Sequence, residues 1–169
     1  QPPQPAQPAV APKPRTPGMT EDELEAENIR LSNEWRRAMR AAGITNVSFV
    51  IGTGRDLAPL PSDRFDLVFG YDVFVRIPLE ATVAYLGEIA RVLRDGGVAV
   101  LHHAVNDVRP AWDHIESRGD PPAAGDGAAG PYQYHSRDAL DRMYGRFGLR
   151  IDSVWTDHCT TVVTAQKPS

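Results

Sequence analysis

Residues 65–101 read FDLVFGYDVFVRIPLEATVAYLGEIARVLRDGGVAVL, and this stretch decides the fold. Phe65-Asp66-Leu67-Val68-Phe69-Gly70 is short, apolar and closed by glycine, which predicts a strand. Pro78 can open a helix, because the amide that proline lacks would have no partner in the first turn. Leu79, Val83, Leu86, Ala90 and Leu93 then recur near the helical period and form one apolar face. Asp95-Gly96-Gly97 ends that helix, and Val98 to Leu101 reads as a third, buried strand after two earlier ones. Near-continuous apolar strands alternating with amphipathic helices predict an α/β fold, its parallel sheet covered on both faces.

Downstream, Gly119 to Pro131 is rich in Gly, Ala and Pro, as expected of a long functional or disordered loop. Ser136 can cap a helix that carries Leu140, Met143 and Phe147 and that Gly148 closes. Arg150 to Trp155 and Thr160 to Gln166 predict an antiparallel strand pair.

Upstream, Val47-Ser48-Phe49-Val50-Ile51 is a β-rich run, followed by a Gly- and Pro-bearing loop from Gly52 to Asp63. Before it, Thr20 and Glu23 have capping-box spacing, and Glu21, Asp22 and Glu23 suit the positive end of a helix dipole. Leu24, Leu31, Trp35 and Met39 form a stripe directed at a core, and Gly43 is a natural terminator. The spacing predicts one helix over Glu21 to Ala42. Gln1 to Gly18 is a Pro/Gln/Ala tract, too poor in amide donors for regular structure, so residues 1–19 read as an extended tail or linker. Residues 20–169 form the folded domain.

The chain has 169 residues, enough for one domain with a real core. Hydrophobic residues make up 41% and charged residues 24%, with a formal net charge of −4. An acidic balance gives no electrostatic footprint for nucleic acid. Cys159 is the single cysteine, so no internal disulfide can form and a reducing, cytoplasmic setting is expected. No apolar run approaches the roughly 20 residues that span a bilayer, so no membrane partner is expected. No signal peptide is visible, and the start at Gln1 reads as a processed, excised or incomplete product.

NVSFVIGTGRDL (residues 46–57), FDLVFGYDVFVRIP (65–78), YLGEIARVLRDGG (85–97) and VAVLHH (98–103) follow one another in an order and spacing that carry a resemblance. Together they resemble the second half of a class I S-adenosylmethionine-dependent methyltransferase of the small-molecule type. GLRIDSVW and TTVVTAQKP resemble that family's closing hairpin. The resemblance covers residues 20 to 168. It implies an incomplete Rossmann-like methyltransferase sheet, mostly parallel, with a C-terminal antiparallel hairpin. It also implies S-adenosylmethionine as cofactor and methyl transfer to a small-molecule acceptor, a sugar or another hydroxylated metabolite.

The chain departs from the family where the cofactor site normally begins. No acidic-GxGxG turn precedes the Val47–Ile51 run, and Gly52-Thr53-Gly54 matches the later adenine loop instead. The central strand and its neighbour are missing from the pattern. Exposed strand edges invite pairing with another chain. The expectation is therefore a truncated domain, impaired or dependent on missing elements. Alternatively it is a non-catalytic module that pairs with another subunit, as a homodimer or with a complementing chain. A nicotinamide-dependent oxidoreductase is disfavoured, because it too needs an early GxGxxG unit. Thr53 stands where the family often has an acidic residue, and Arg76 where many relatives have histidine.

In an open α/β sheet ligands lie beyond the carboxyl ends of the strands. The resemblance places Gly52, Thr53, Gly54, Arg55 and Tyr71 with the cofactor and sets Tyr71 and Asp72 at the methyl-transfer end of the cleft. Asp72 and His103 are the catalytic candidates, His103 as the base because a neutral imidazole at a strand end suits proton transfer near pH 7. Strand alternation turns His102 and His103 to opposite faces, so only one can meet the cleft. Asp72, His103 and Asp107 carry ligand chemistry without a ligand spacing, so no metal is expected. Trp112 and Tyr132 to His135 flank the long loop and suit either a substrate lid or simple packing.

Overall fold

The computed structural model describes residues 20–52, 56–107 and 132–169. The Pro/Gln tract, Thr53, Gly54, Arg55, Trp112, the Gly119–Pro131 loop and the Leu24 side chain lie outside the described residues. The described residues divide into two compact units, residues 20–51 and residues 52–107 with 132–169.

The first unit contains α1, Glu21–Ala41. Its start follows from the capping box: the Thr20 amide donates to Glu23 Oε2 at 2.7 Å and the Glu23 amide donates to Thr20 Oγ1 at 3.3 Å. Gly43, at φ +74°, takes the left-handed conformation that ends the helix. The stripe is weaker than expected, for Leu31, Trp35 and Met39 are only half-buried. The Arg36 guanidinium donates to the Phe49 carbonyl at 2.7 Å and ties the helix to the segment behind it.

That segment corrects the sequence reading. Val47–Ile51 forms no strand and pairs with nothing among the described residues. Val47 is 47%, Val50 54% and Ile51 40% exposed. A strand draws its stability from cross-strand partners and a packed face, and β-propensity alone does not replace them.

The second unit is a mixed sheet with helices. In chain order it comprises β1 (Phe65–Gly70), α2 (Leu79–Val92), β2 (Leu93–Val105), β3 (Tyr134–His135), α3 (Arg137–Arg146), β4 (Arg150–Asp157) and β5 (Thr160–Gln166). The sheet runs β1-β2-β5-β4, with β3 beside β2. β1 pairs parallel with β2, Leu67 opposite Val98 and Gly70 opposite Leu101. β5 pairs antiparallel with β2, and β4 with β5, which is the expected closing hairpin. This is the α/β fold expected, a parallel start followed by antiparallel strands.

The helix-to-strand joint is sharper than the sequence implies. α2 ends at Val92, and Leu93 is already extended, so β2 begins before the Asp95-Gly96-Gly97 turn. Gly97 sits inside this joint, where a Cβ would lie 2.8 Å from the Arg94 carbonyl and 2.9 Å from that of Phe65.

The core lies on one face of the sheet. Leu86 and Ile89 of α2 and Leu140 and Tyr144 of α3 pack with Ala99, Leu101, Val163 and Ala165. Each buried aliphatic side chain of this kind stabilises by about 1.5–3 kcal/mol. Along β2 the alternation sends Ala99, Leu101, His103 and Val105 into this core and turns Val98, Val100 and His102 to the other face. On β1 the same parity leaves Leu67 55% and Phe69 66% exposed. Among its described residues, the second unit carries helices on one face, not on both.

Candidate functional site

β1 and β2 are parallel neighbours, so their carboxyl ends finish side by side at Gly70 and Leu101. Gly70 is needed there: a Cβ would lie 2.9 Å from the Phe74 ring and 3.3 Å from Leu101. The chain then turns, and Asp72 adopts φ +57°, a left-handed conformation uncommon for a residue other than glycine. The turn sets the Asp72 amide against the ring of His102, where it donates to Nδ1 at 3.2 Å. Tyr71 lies over the same ring, centroids 4.4 Å apart and planes 11° from parallel. Phe69 and Tyr71 are themselves parallel at 6.4 Å.

Charge is sparse here. Asp72 Oδ2 lies 4.0 Å from Arg76, and the Arg76 guanidinium sits 5.2 Å above the Tyr132 ring. The His102 pKa is lowered by burial, an effect that the Asp72 carboxylate opposes. His102 is therefore a neutral imidazole at neutral pH.

His103 is placed differently from its expected role. It is fully buried on the core face, with Nε2 2.8 Å from the Tyr144 hydroxyl. Phe74 and His135 rings flank it at 5.6 and 6.2 Å. Burial first, then His135 and His102, push its pKa down to about 3. Burial raises the Tyr144 hydroxyl and lowers His135. Among the described residues, His103 Nδ1 and His135 Nε2 have no hydrogen-bond partner.

The structure thus brings Tyr71 and Asp72 together with His102, and sets His103 behind the sheet. His102, which the sequence set opposite His103 without giving it a role, is the histidine that lies beside Tyr71 and Asp72. Both faces of β2 read as apolar, so parity alone named two histidines without choosing between them. Gly52 is an exposed coil residue, while Thr53, Gly54 and Arg55 lie outside the described residues. Among the described residues, no group of three or more His, Cys, Asp or Glu side chains is arranged to hold a metal ion. Asp107 is engaged elsewhere, accepting the Arg137 amide at 2.7 Å at the start of α3.

Residues 22–113, more than half of the chain, match the family described as methyltransferase domain. The chain belongs to this family. No curated protein is significantly similar to this methyltransferase domain in sequence. Solved structures share its fold. An O-methyltransferase family protein from Burkholderia thailandensis is 18% identical with a TM-score of 0.60, over 81% of this chain and 41% of that one. Magnesium protoporphyrin IX methyltransferase from Synechocystis PCC 6803, solved with bound SAH, is 17% identical with a TM-score of 0.57, over 79% and 57%. The 1,6-didemethyltoxoflavin-N1-methyltransferase of Burkholderia thailandensis, with its namesake compound and S-adenosylhomocysteine bound, is 18% identical with a TM-score of 0.56, over 80% and 57%. The methyltransferase domain thus matches between 41% and 57% of the length of these structures. No helix among the described residues is long and apolar enough to cross a membrane.

Proposed function

We propose that this methyltransferase domain takes part in S-adenosylmethionine-dependent methyl transfer to a small hydroxylated acceptor, a sugar or a comparable metabolite. The observation that carries the reading is the grouping of Tyr71, Asp72 and His102 beyond the adjacent carboxyl ends of β1 and β2, where ligands of open α/β sheets lie. The residues present fit the cofactor's chemistry. The ring of Tyr71, 59% exposed, offers a π face to a cation, and the exposed Asp72 carboxylate offers a negative charge. S-adenosylmethionine, when bound, supplies a methyl group on a positively charged sulfur. Tyr71 and Asp72 hold the cationic end, and His102 orients a polar atom beside it. Gly52, Thr53, Gly54 and Arg55 belong to the same reading as backbone contacts to the adenine. The acceptor's proton passes to Asp72 or to water; His103, enclosed with Tyr144, serves structure instead of base catalysis. A cytoplasmic, reducing setting accords with the free, buried Cys159.

The test is calorimetry of the folded chain with S-adenosylmethionine and S-adenosylhomocysteine, followed by transfer of a labelled methyl group to a panel of sugars. Binding that Tyr71→Ala weakens about tenfold supports the enzyme. A folded chain that binds neither compound overturns it.

A second reading has its own support. β1 pairs only with β2 among the described residues, and Leu67 and Phe69 stand exposed along it. An open edge with an apolar face suits a module that pairs with another subunit, either a second copy or a complementing chain. In that reading the chain is non-catalytic and acts through the pairing itself.

A further inference from the structure

His102 meets two neighbours that between them settle how its ring sits. Tyr71 lies parallel to it at 4.4 Å, which fixes the plane of the imidazole. The Asp72 amide donates to Nδ1 at 3.2 Å, which fixes the rotation of the ring within that plane. The second contact also carries chemical information. A backbone amide can only donate, so Nδ1 must present its lone pair. A neutral imidazole bears one N–H, and that proton is then on Nε2. The doubly protonated ring would set N–H against N–H and forfeit the bond. The opposite tautomer would do the same.

The backbone around this contact is not relaxed. Asp72 holds φ +57°, a conformation that L residues adopt rarely and at some cost. The turn nevertheless places the amide on the ring. His102 itself is 7% exposed and the contact is part-buried, so competition from water is reduced, which strengthens it.

We infer that the Asp72 amide locks His102 as the Nε2–H tautomer, so that His102 serves the site as a hydrogen-bond donor beside the Tyr71 ring and not as a base. The ligand it recognises carries an accepting oxygen or nitrogen: a carboxylate, a hydroxyl oxygen or a ring nitrogen. This rests on the methyltransferase reading for the identity of the ligand, but the tautomer does not. Asp72 acts here through its main chain, as a positioning residue, in addition to any role of its carboxylate.

The direct experiment is a long-range 15N–1H correlation spectrum of the intact chain at neutral pH, recorded without and then with S-adenosylhomocysteine. His102 is assigned by the signals lost in His102→Gln. The expected pattern is an unprotonated Nδ1 and a protonated Nε2, with the Nε2 resonance moving when S-adenosylhomocysteine is added. Asp72→Gly keeps the amide while relieving the backbone, so it should preserve the tautomer. A protonated Nδ1, or a ring that averages between tautomers, overturns the lock. An Nε2 that ignores bound S-adenosylhomocysteine overturns the donor role. His102→Asn keeps an acceptor near Nδ1 but lacks the donor, whereas His102→Gln keeps a donor near Nε2. The expected result is that His102→Asn weakens binding about tenfold and His102→Gln less. If the parent chain binds no S-adenosylhomocysteine, the functional reading fails while an observed Nε2–H tautomer still stands.

Discussion

His103 Nε2 lies 2.8 Å from the Tyr144 hydroxyl, and both side chains are fully buried. The pair is a polar contact in a mostly apolar core, with the His135 ring beside it, and each group depends on the other. Tyr144→Phe removes one partner and leaves Nε2 stranded on a ring whose Nδ1 already lacks one among the described residues. The expected cost is about 1–3 kcal/mol, seen as a lower urea midpoint with an unchanged slope. His103→Leu combined with Tyr144→Phe should cost less than the sum of the single changes, because no orphaned group is left. Additive losses would show that the bond carries no stability.

The same burial makes the fold sensitive to acid. The folded-state pKa of His103 is held at about 3, below its unfolded value near 6.5. Below that unfolded value the unfolded chain takes up a proton that the folded chain refuses. Stability is therefore complete above pH about 6.5 and falls as the pH drops toward 3, by roughly 1 kcal/mol per pH unit for the proton concerned. His102 and His135, both lowered first by burial, act in the same direction. Urea titrations at a series of pH values should show this slope in the parent and a flatter one in His103→Leu. Equal slopes would contradict it.

Gly97 and Gly148 separate two reasons for glycine. A Cβ at Gly97 would meet the Arg94 and Phe65 carbonyls at 2.8 and 2.9 Å, both backbone atoms. Gly97→Ala must push β1 and β2 apart and is expected to cost about 1–3 kcal/mol. Gly148 has open space but φ +70°, so Gly148→Ala should cost about 1 kcal/mol from backbone conformation alone. Thermal unfolding of the two variants gives the ranking, and a larger loss at Gly148 would reverse the argument.

Leu67 and Phe69 stand on β1, which pairs only with β2 among the described residues, and are 55% and 66% exposed. Phe69→Lys places a charge on that strand without removing a core contact. Stability should change by no more than about 0.5 kcal/mol, while concentration-dependent self-association measured by sedimentation should fall. An unchanged association profile would show that β1 is not the sticky surface.

Several elements were legible locally. Thr20 and Glu23 form the capping box that their spacing announced, Ser136 caps α3, and the β1 boundaries at Phe65 and Gly70 fall where the apolar run and its glycine put them. The strand expected at Val47–Ile51 does not form, because its residues have strand propensity without a strand beside them among the described residues.

By itself, then, the order of residues determined the caps of α1 and α3, the span of β1, the α/β class and the closing hairpin. Caps, glycines and apolar periods act over a few residues, so their effects can be read one segment at a time. Only the tertiary structure decided which histidine stands at the Tyr71–Asp72 turn and which one is sealed with Tyr144. The two are neighbours in sequence with equal chemistry. Which face of β2 receives α2 and α3 depends on packing among elements far apart in the chain, and that packing drives the charged form out of one ring and sets the other beside the Tyr71–Asp72 turn.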